Sequence, residues 1–157
     1  KISLWGKHLF VKVPIVNTKG KILTSVIQKL NSSKIKLNIT AIFTLEQVTQ
    51  IKKVIDYKTP VIISIFCGRI ADSGLDPEIL TKKAVKIFKS HKNVQILWAS
   101  TREVLNYQQA KKCKCHIITM SPGLIDKLNT KKLPLKKWSI KTVQQFFADG
   151  KKSNFNI

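Results

Sequence analysis

Residues 10 to 15 read FVKVPI, a single lysine set inside a run of apolar, mostly β-branched residues. Such a run reads as a buried strand. Side chains alternate along a strand, so Phe10, Lys12 and Pro14 point to one side and Val11, Val13 and Ile15 to the other. If the second set packs on helices, Lys12 faces the opposite layer, which in a closed barrel is the interior. A poorly solvated amine has its neutral form favoured. The neutral amine is a nucleophile whose natural electrophile is a ketone or aldehyde, giving a Schiff base. The plainer alternative is a lysine that lays its stem on the strand and takes its ammonium to water.

Working outward, similar apolar runs recur at residues 9 to 15, 35 to 42, 60 to 66, 94 to 99 and 115 to 120. Helical patterns separate them. Ile22, Leu23, Val26, Ile27 and Leu30 share a face, and TLEQ, Thr44 to Gln47, is a capping box with Thr44 as N-cap. Asp76 precedes Pro77 as N-cap and N1, ahead of a stripe of Leu80, Ala84, Ile87 and Phe88. Ser121 and Pro122 repeat the arrangement, and Ser139 to Gly150 reads as a closing amphipathic helix. Five strand–helix units with near-continuous apolar strands predict an α/β fold with a parallel sheet covered by helices. That leaves an open doubly wound sheet or a barrel. No glycine-rich phosphate loop follows any strand, which speaks against dinucleotide binding.

Of 29 basic residues, 27 are lysine and two, Arg69 and Arg102, are arginine, against eight acids and a net charge of +21. That charge permits a hold on polyanions or on phosphorylated substrates. The lysines are scattered and not interleaved with aromatics, so nucleic acid is not the expected primary ligand. No run reaches the roughly 18 apolar residues of a membrane span. Cys67, Cys113 and Cys115 lack the spacing of a structural zinc site, and reduced thiols in a cytoplasmic setting are the expectation.

Polar residues gather at the strand ends. Asn38 and Thr40 share a side, Ser64 and Phe66 are in phase with Arg69 just beyond, and WASTR supplies Ser100 and Arg102. Carboxyl ends of parallel strands are where barrel active sites are built. A chain that uses lysine nearly everywhere keeps arginine where a planar, bidentate donor is required, which fits a phosphate or carboxylate. Structural readings stand beside these. Ser100 with Glu103 fits a capping box, Asn38 a strand-end hydrogen bonder, Thr40 a β-former, Ser64 a small spacer, Phe66 packing, and the arginines a pair of structural ion pairs.

FVKVPI, LNITAIFTLEQ, ISIFCGRIADSG and ILWASTRE, in that order, resemble the transaldolase family, class I enzymes on a (β/α)8 TIM barrel. The resemblance covers about residues 9 to 150. It implies that Lys12 forms a Schiff base with a ketose phosphate and passes a dihydroxyacetone unit to an aldose phosphate, as in the exchange of sedoheptulose 7-phosphate and glyceraldehyde 3-phosphate with erythrose 4-phosphate and fructose 6-phosphate. It makes Thr40 a holder of the catalytic water, Asn38 and Ser64 partners of substrate hydroxyls, and Arg69, Ser100 and Arg102 the phosphate group. It implies no cofactor or metal, sugar phosphates as partners, no membrane, and association into homo-oligomers. Related fructose-6-phosphate aldolases carry tyrosine where this chain has Phe66, so the phenylalanine favours transaldolase. Ile65 and Cys67 replace the family's proline and valine.

Matching the first strand to the family's fourth leaves five of eight units. The catalytic Asp and Glu that the family carries on its first and third strands have no counterpart here. The expectation is a carboxy-terminal part of a longer enzyme, with a partial barrel over residues 1–150 and a tail at 151–157. Taken alone it should have two unpaired edge strands, low stability and little turnover.

Overall fold

The computed structural model describes residues 1–129 and 133–153. It divides into two compact units, Lys1–Ile125 and Asp126–Ile157. The first contains β1 (Val11–Pro14), α1 (Thr24–Ser32), β2 (Leu37–Ile42), α2 (Leu45–Val54), β3 (Val61–Ile65), α3 (Cys67–Asp72), α4 (Pro77–Phe88), β4 (Val94–Trp98), α5 (Leu105–Lys112) and β5 (Ile117–Ile118). Helix α6 (Pro122–Asn129) begins there and runs past the division, and the second unit is dominated by α7 (Leu135–Lys152). Lys151 and Lys152 thus end a helix rather than start a tail, and residues 154–157 of the expected tail lie outside the described residues.

All strand pairs are parallel, and the spatial order is the chain order, β1-β2-β3-β4-β5. A doubly wound sheet reverses direction at a switch point, whereas barrel strands follow one another around the ring. The sheet is therefore a five-strand part of a TIM-barrel-type fold. Among the described residues β1 pairs only with β2 and β5 only with β4, which leaves both as edges.

One face of the sheet is covered. Val13 and Ile15, Leu37, Ile39 and Ile42, Val61, Ile63 and Ile65, and Val94, Ile96 and Trp98 form one core with Ile27, Val48, Ile51, Ala84 and Phe88 of the helices. A bulge makes Ile42 part of it. The β2–β3 register shifts between Ile39 and Ile42, with Ala41 at φ 58°. The extra residue returns Ile42 to the side that strict alternation would have given Ala41. The other face carries a smaller cluster of Ile62, Leu97 and Ala99 with Phe10, Phe66 and Ile117.

Local signals place the helix starts. The Thr44 hydroxyl accepts from Gln47 N–H while the Gln47 side chain accepts from Thr44 N–H, completing the expected capping box. The Asp76 carboxylate accepts from Glu78 N–H with Pro77 at the first turn. Helix α7 starts four residues before the expected Ser139. Strand β5 is shorter than the expected 115–120, having a ladder on one side only. There Ile96 N–H donates to His116 Nδ1 at 3.0 Å, and the side chain extends the strand pairing.

Candidate active site

The sheet face opposite the main core is built from alternate residues of successive strands. Register puts Lys12 opposite Asn38, Asn38 opposite Ile62, and Ile62 opposite Gln95; one step on, Pro14 lies opposite Thr40 and Ser64 opposite Leu97. Lys12, Asn38, Thr40 and Ser64 thus share one surface toward the carboxyl ends, as their parity predicts. Ser64 Oγ donates to Asn38 Oδ1 at 2.6 Å, fixing both polar tips. Thr40 is 8% exposed, and its Oγ1 has no hydrogen-bond partner among the described residues. A buried hydroxyl left so costs stability.

One expectation is corrected. Lys12 is exposed, not poorly solvated, and no hydrogen bond or ion pair engages its ammonium among the described residues. The alternation that aims it away from the core helices holds, but β1 is an edge strand among the described residues, and the side chain is left exposed.

The rim holds the remaining residues. Phe66 follows β3 and is the N-cap residue of α3, its ring 5.6 Å from that of Phe43. Arg69, on α3, sets its guanidinium 5.5 Å from the Phe66 ring centre, so Phe66 backs the arginine as well as packing. Arg102 follows β4 and donates from Nη2 to Asp72 Oδ2 at 2.7 Å, with both side chains about half exposed, at 50% and 54%. Asp72 ends the same short helix that carries Arg69. The two arginines therefore converge on α3, and the ion-pair reading holds for Arg102 in this structure.

Ser100 is no helix cap. Helix α5 starts at Leu105, beyond capping reach, and Asn106 Oδ1 accepts instead from the Arg102 and Glu103 amides, at 2.8 and 3.2 Å. Ser100 has φ 63°, a left-handed conformation that is strained for a serine. It passes so close to Gly68 that a methyl group on Gly68 would lie 1.6 Å from the Ser100 carbonyl oxygen. Gly68, Asp72 and Asn106 were not picked out from the sequence. The lone glycine between a strand end and an arginine was the one available signal, since glycine there marks a close backbone approach.

Burial disfavours the thiolate form of the cysteines. Cys67, Cys113 and Cys115 are free, and burial pushes their pKa values to about 12, 11 and 12. Among the described residues no cluster of metal-ligating side chains forms, and no helix is long and apolar enough to cross a membrane.

An exposed lysine aligned with an amide, two hydroxyls and two rim guanidiniums can bind a polar anion and present an amine to it. A family model described as Transaldolase/Fructose-6-phosphate aldolase matches residues 1–157. The chain belongs to the transaldolase/fructose-6-phosphate aldolase family. A probable transaldolase of Herpetosiphon aurantiacus is 31% identical over 129 residues, 81% of this chain and 54% of that protein. One of Nitrosopumilus maritimus is 30% identical over 131 residues, covering 82% of this chain and 55% of its own. One of Streptococcus pyogenes is 30% identical over 152 residues, 96% and 66% respectively. This transaldolase-family chain thus spans about half to two thirds of the length of these relatives, and its five strands fit that share of an eight-strand barrel.

Proposed function

We propose that this chain carries the Schiff-base half of a transaldolase active site. Lys12 attacks the ketone of a ketose phosphate, water leaves, and the resulting imine acts as the electron sink when the adjacent carbon–carbon bond breaks. The retained dihydroxyacetone unit then passes to an aldose phosphate. Asn38 and Ser64 bind its hydroxyls, Thr40 holds the water that attacks the imine, and Arg69 and Arg102, with Ser100 between strand and loop, bind the phosphate. The observation that carries this reading is the row Lys12–Asn38–Ser64, register-matched across β1 and β2 and hydrogen-bonded across β2 and β3, with a partnerless hydroxyl at Thr40 beside it.

The amine's neutral form requires less water than the exposed face offers, and the reading includes closure of that face by further strands of a barrel. Residues 1–150, α7 included, act in it as one barrel segment, in copies that associate, in a cytoplasmic setting. None of the strands β1 to β5 carries an acid beside Lys12, so turnover by the chain alone is expected to be slow.

The test is an exchange assay with fructose 6-phosphate as donor and erythrose 4-phosphate as acceptor, read as sedoheptulose 7-phosphate formed. Slow transfer that disappears in Lys12→Ala supports the reading. Free dihydroxyacetone released without acceptor would instead favour an aldolase, a reading against which Phe66 counts. Polyanion binding that falls steeply with salt, with no sugar-phosphate chemistry, would favour a basic binding role built on the +21 charge.

A further inference from the structure

We infer that Gly68 and Asn106 are positioning residues for Arg102, holding its guanidinium ready for an anion before one arrives; this deepens the phosphate role proposed above and rests on it. Arginine carries considerable side-chain entropy, and an anion site gains when that freedom is spent beforehand. Three contacts spend it here. At the backbone, buried Asn106 accepts from the amides of both Arg102 and Glu103 and is itself oriented by donating Nδ2–H to Gln109 Oε1 at 2.8 Å. At the stem, Gly68 lets the 100–102 loop lie against α3, for an added methyl would come within 2.9 Å of Arg102 Cγ as well as striking Ser100. At the tip, Asp72 engages one of the five guanidinium N–H groups and leaves the rest of the fork available.

The same glycine adjoins Arg69, so the loop it admits brings the second arginine to the helix bearing the first. The left-handed φ of Ser100 fits this account, because the strained turn is what drops the loop onto Gly68. A loop with ordinary backbone at residue 100 and a side chain at residue 68 would stand off from α3 and carry Arg102 with it.

The chain has only two arginines, so its arginine Nε–H NMR spectrum contains two signals, assignable with Arg69→Lys and Arg102→Lys. Titration with inorganic phosphate is expected to move both along one binding curve. In Gly68→Ala and Asn106→Ala the Arg102 signal should respond with roughly fivefold weaker affinity or worse, while in Asn106→Ala the phosphate-free Arg69 signal stays in place. Asn106→Asp, which keeps the acceptor but gives up the donation to Gln109 and adds a negative charge, should recover only part of the affinity lost in Asn106→Ala. Folding of each variant is checked by circular dichroism, and if Gly68→Ala does not fold, the Asn106 pair decides. Wild-type affinity in the folded Ala variants overturns the positioning role and leaves the phosphate site standing. No movement of either signal in the wild type overturns the phosphate site, and this inference with it.

Discussion

Thr40 shows what a single residue can disclose. A threonine serving only as a β-former would have its hydroxyl paired or solvated, yet this one is buried and lacks a partner among the described residues. Removing an unpaired buried hydroxyl with an isosteric side chain costs little, so Thr40→Val should change thermal stability by under about 1 kcal/mol. Exchange activity should nevertheless fall by roughly tenfold or more if the hydroxyl holds the reacting water. A calorimetric scan and the exchange assay read the two separately, and equal losses in both would point to packing alone. The thiols make a second case. Their raised pKa values leave almost no thiolate at pH 8, so a disulfide reagent should label the folded chain slowly and all three cysteines at once in denaturant. Because the folded pKa values lie above the unfolded one, the stability linked to these groups is complete below about pH 8.5 and is lost as pH rises toward the folded values. At this scale the sequence disclosed identities better than environments. Strand parity gave Lys12 its face, but solvation depends on what lies across that face, which no local pattern encodes.

Between elements, Glu78 joins α4 to α5, accepting from Lys82 at 2.7 Å and lying 3.0 Å from Lys112, with its side chain only 11% exposed. The Lys82 hydrogen bond first and Lys112 second hold its pKa below the ordinary glutamate value. A depressed folded pKa contributes stability above the unfolded pKa that is lost as pH falls through the folded one. Glu78→Gln should therefore cost about 1 kcal/mol at pH 7 in urea unfolding and close to nothing well below pH 4. An unchanged difference at both pH values would locate the effect in packing. Element starts were legible because caps act within four residues: Thr44 with Gln47 and Asp76 with Pro77 needed no tertiary information. Helix α3 was not, since six residues are too few to show a helical period and its reason to form is the fit of Gly68 under Ser100. The end of β5 depends likewise on the His116 ring taking up an Ile96 amide, a partnership formed across twenty residues.

At the scale of the whole chain, five parallel strands in chain order make one sheet whose two edges are unpaired among the described residues. Parallel strands and helical crossovers could be read from alternating periods, but barrel and doubly wound sheet differ only in which strands become neighbours. The pairing order supplied that choice. Open edges invite association, while a charge of +21 opposes it. Sedimentation velocity should accordingly show more self-association as salt rises from about 0.01 M to 0.15 M and the Debye length shrinks from about 30 Å to about 8 Å. A monomer unaffected by salt would mean the edges are protected by other means. The buried sheet sets the stability that remains: Ile63→Ala at the centre of β3 should cost about 3 kcal/mol, enough to unfold a weakly stable chain at 37 °C.

Lys12, the one lysine of β1, is expected to become covalently bound to a ketose phosphate. Borohydride reduction of the chain with fructose 6-phosphate, followed by peptide mass mapping, tests it most directly. A single sugar-derived adduct on Lys12, absent in Lys12→Ala, is the expected result; an adduct spread over the other 26 lysines, or none at all, would contradict the Schiff-base role.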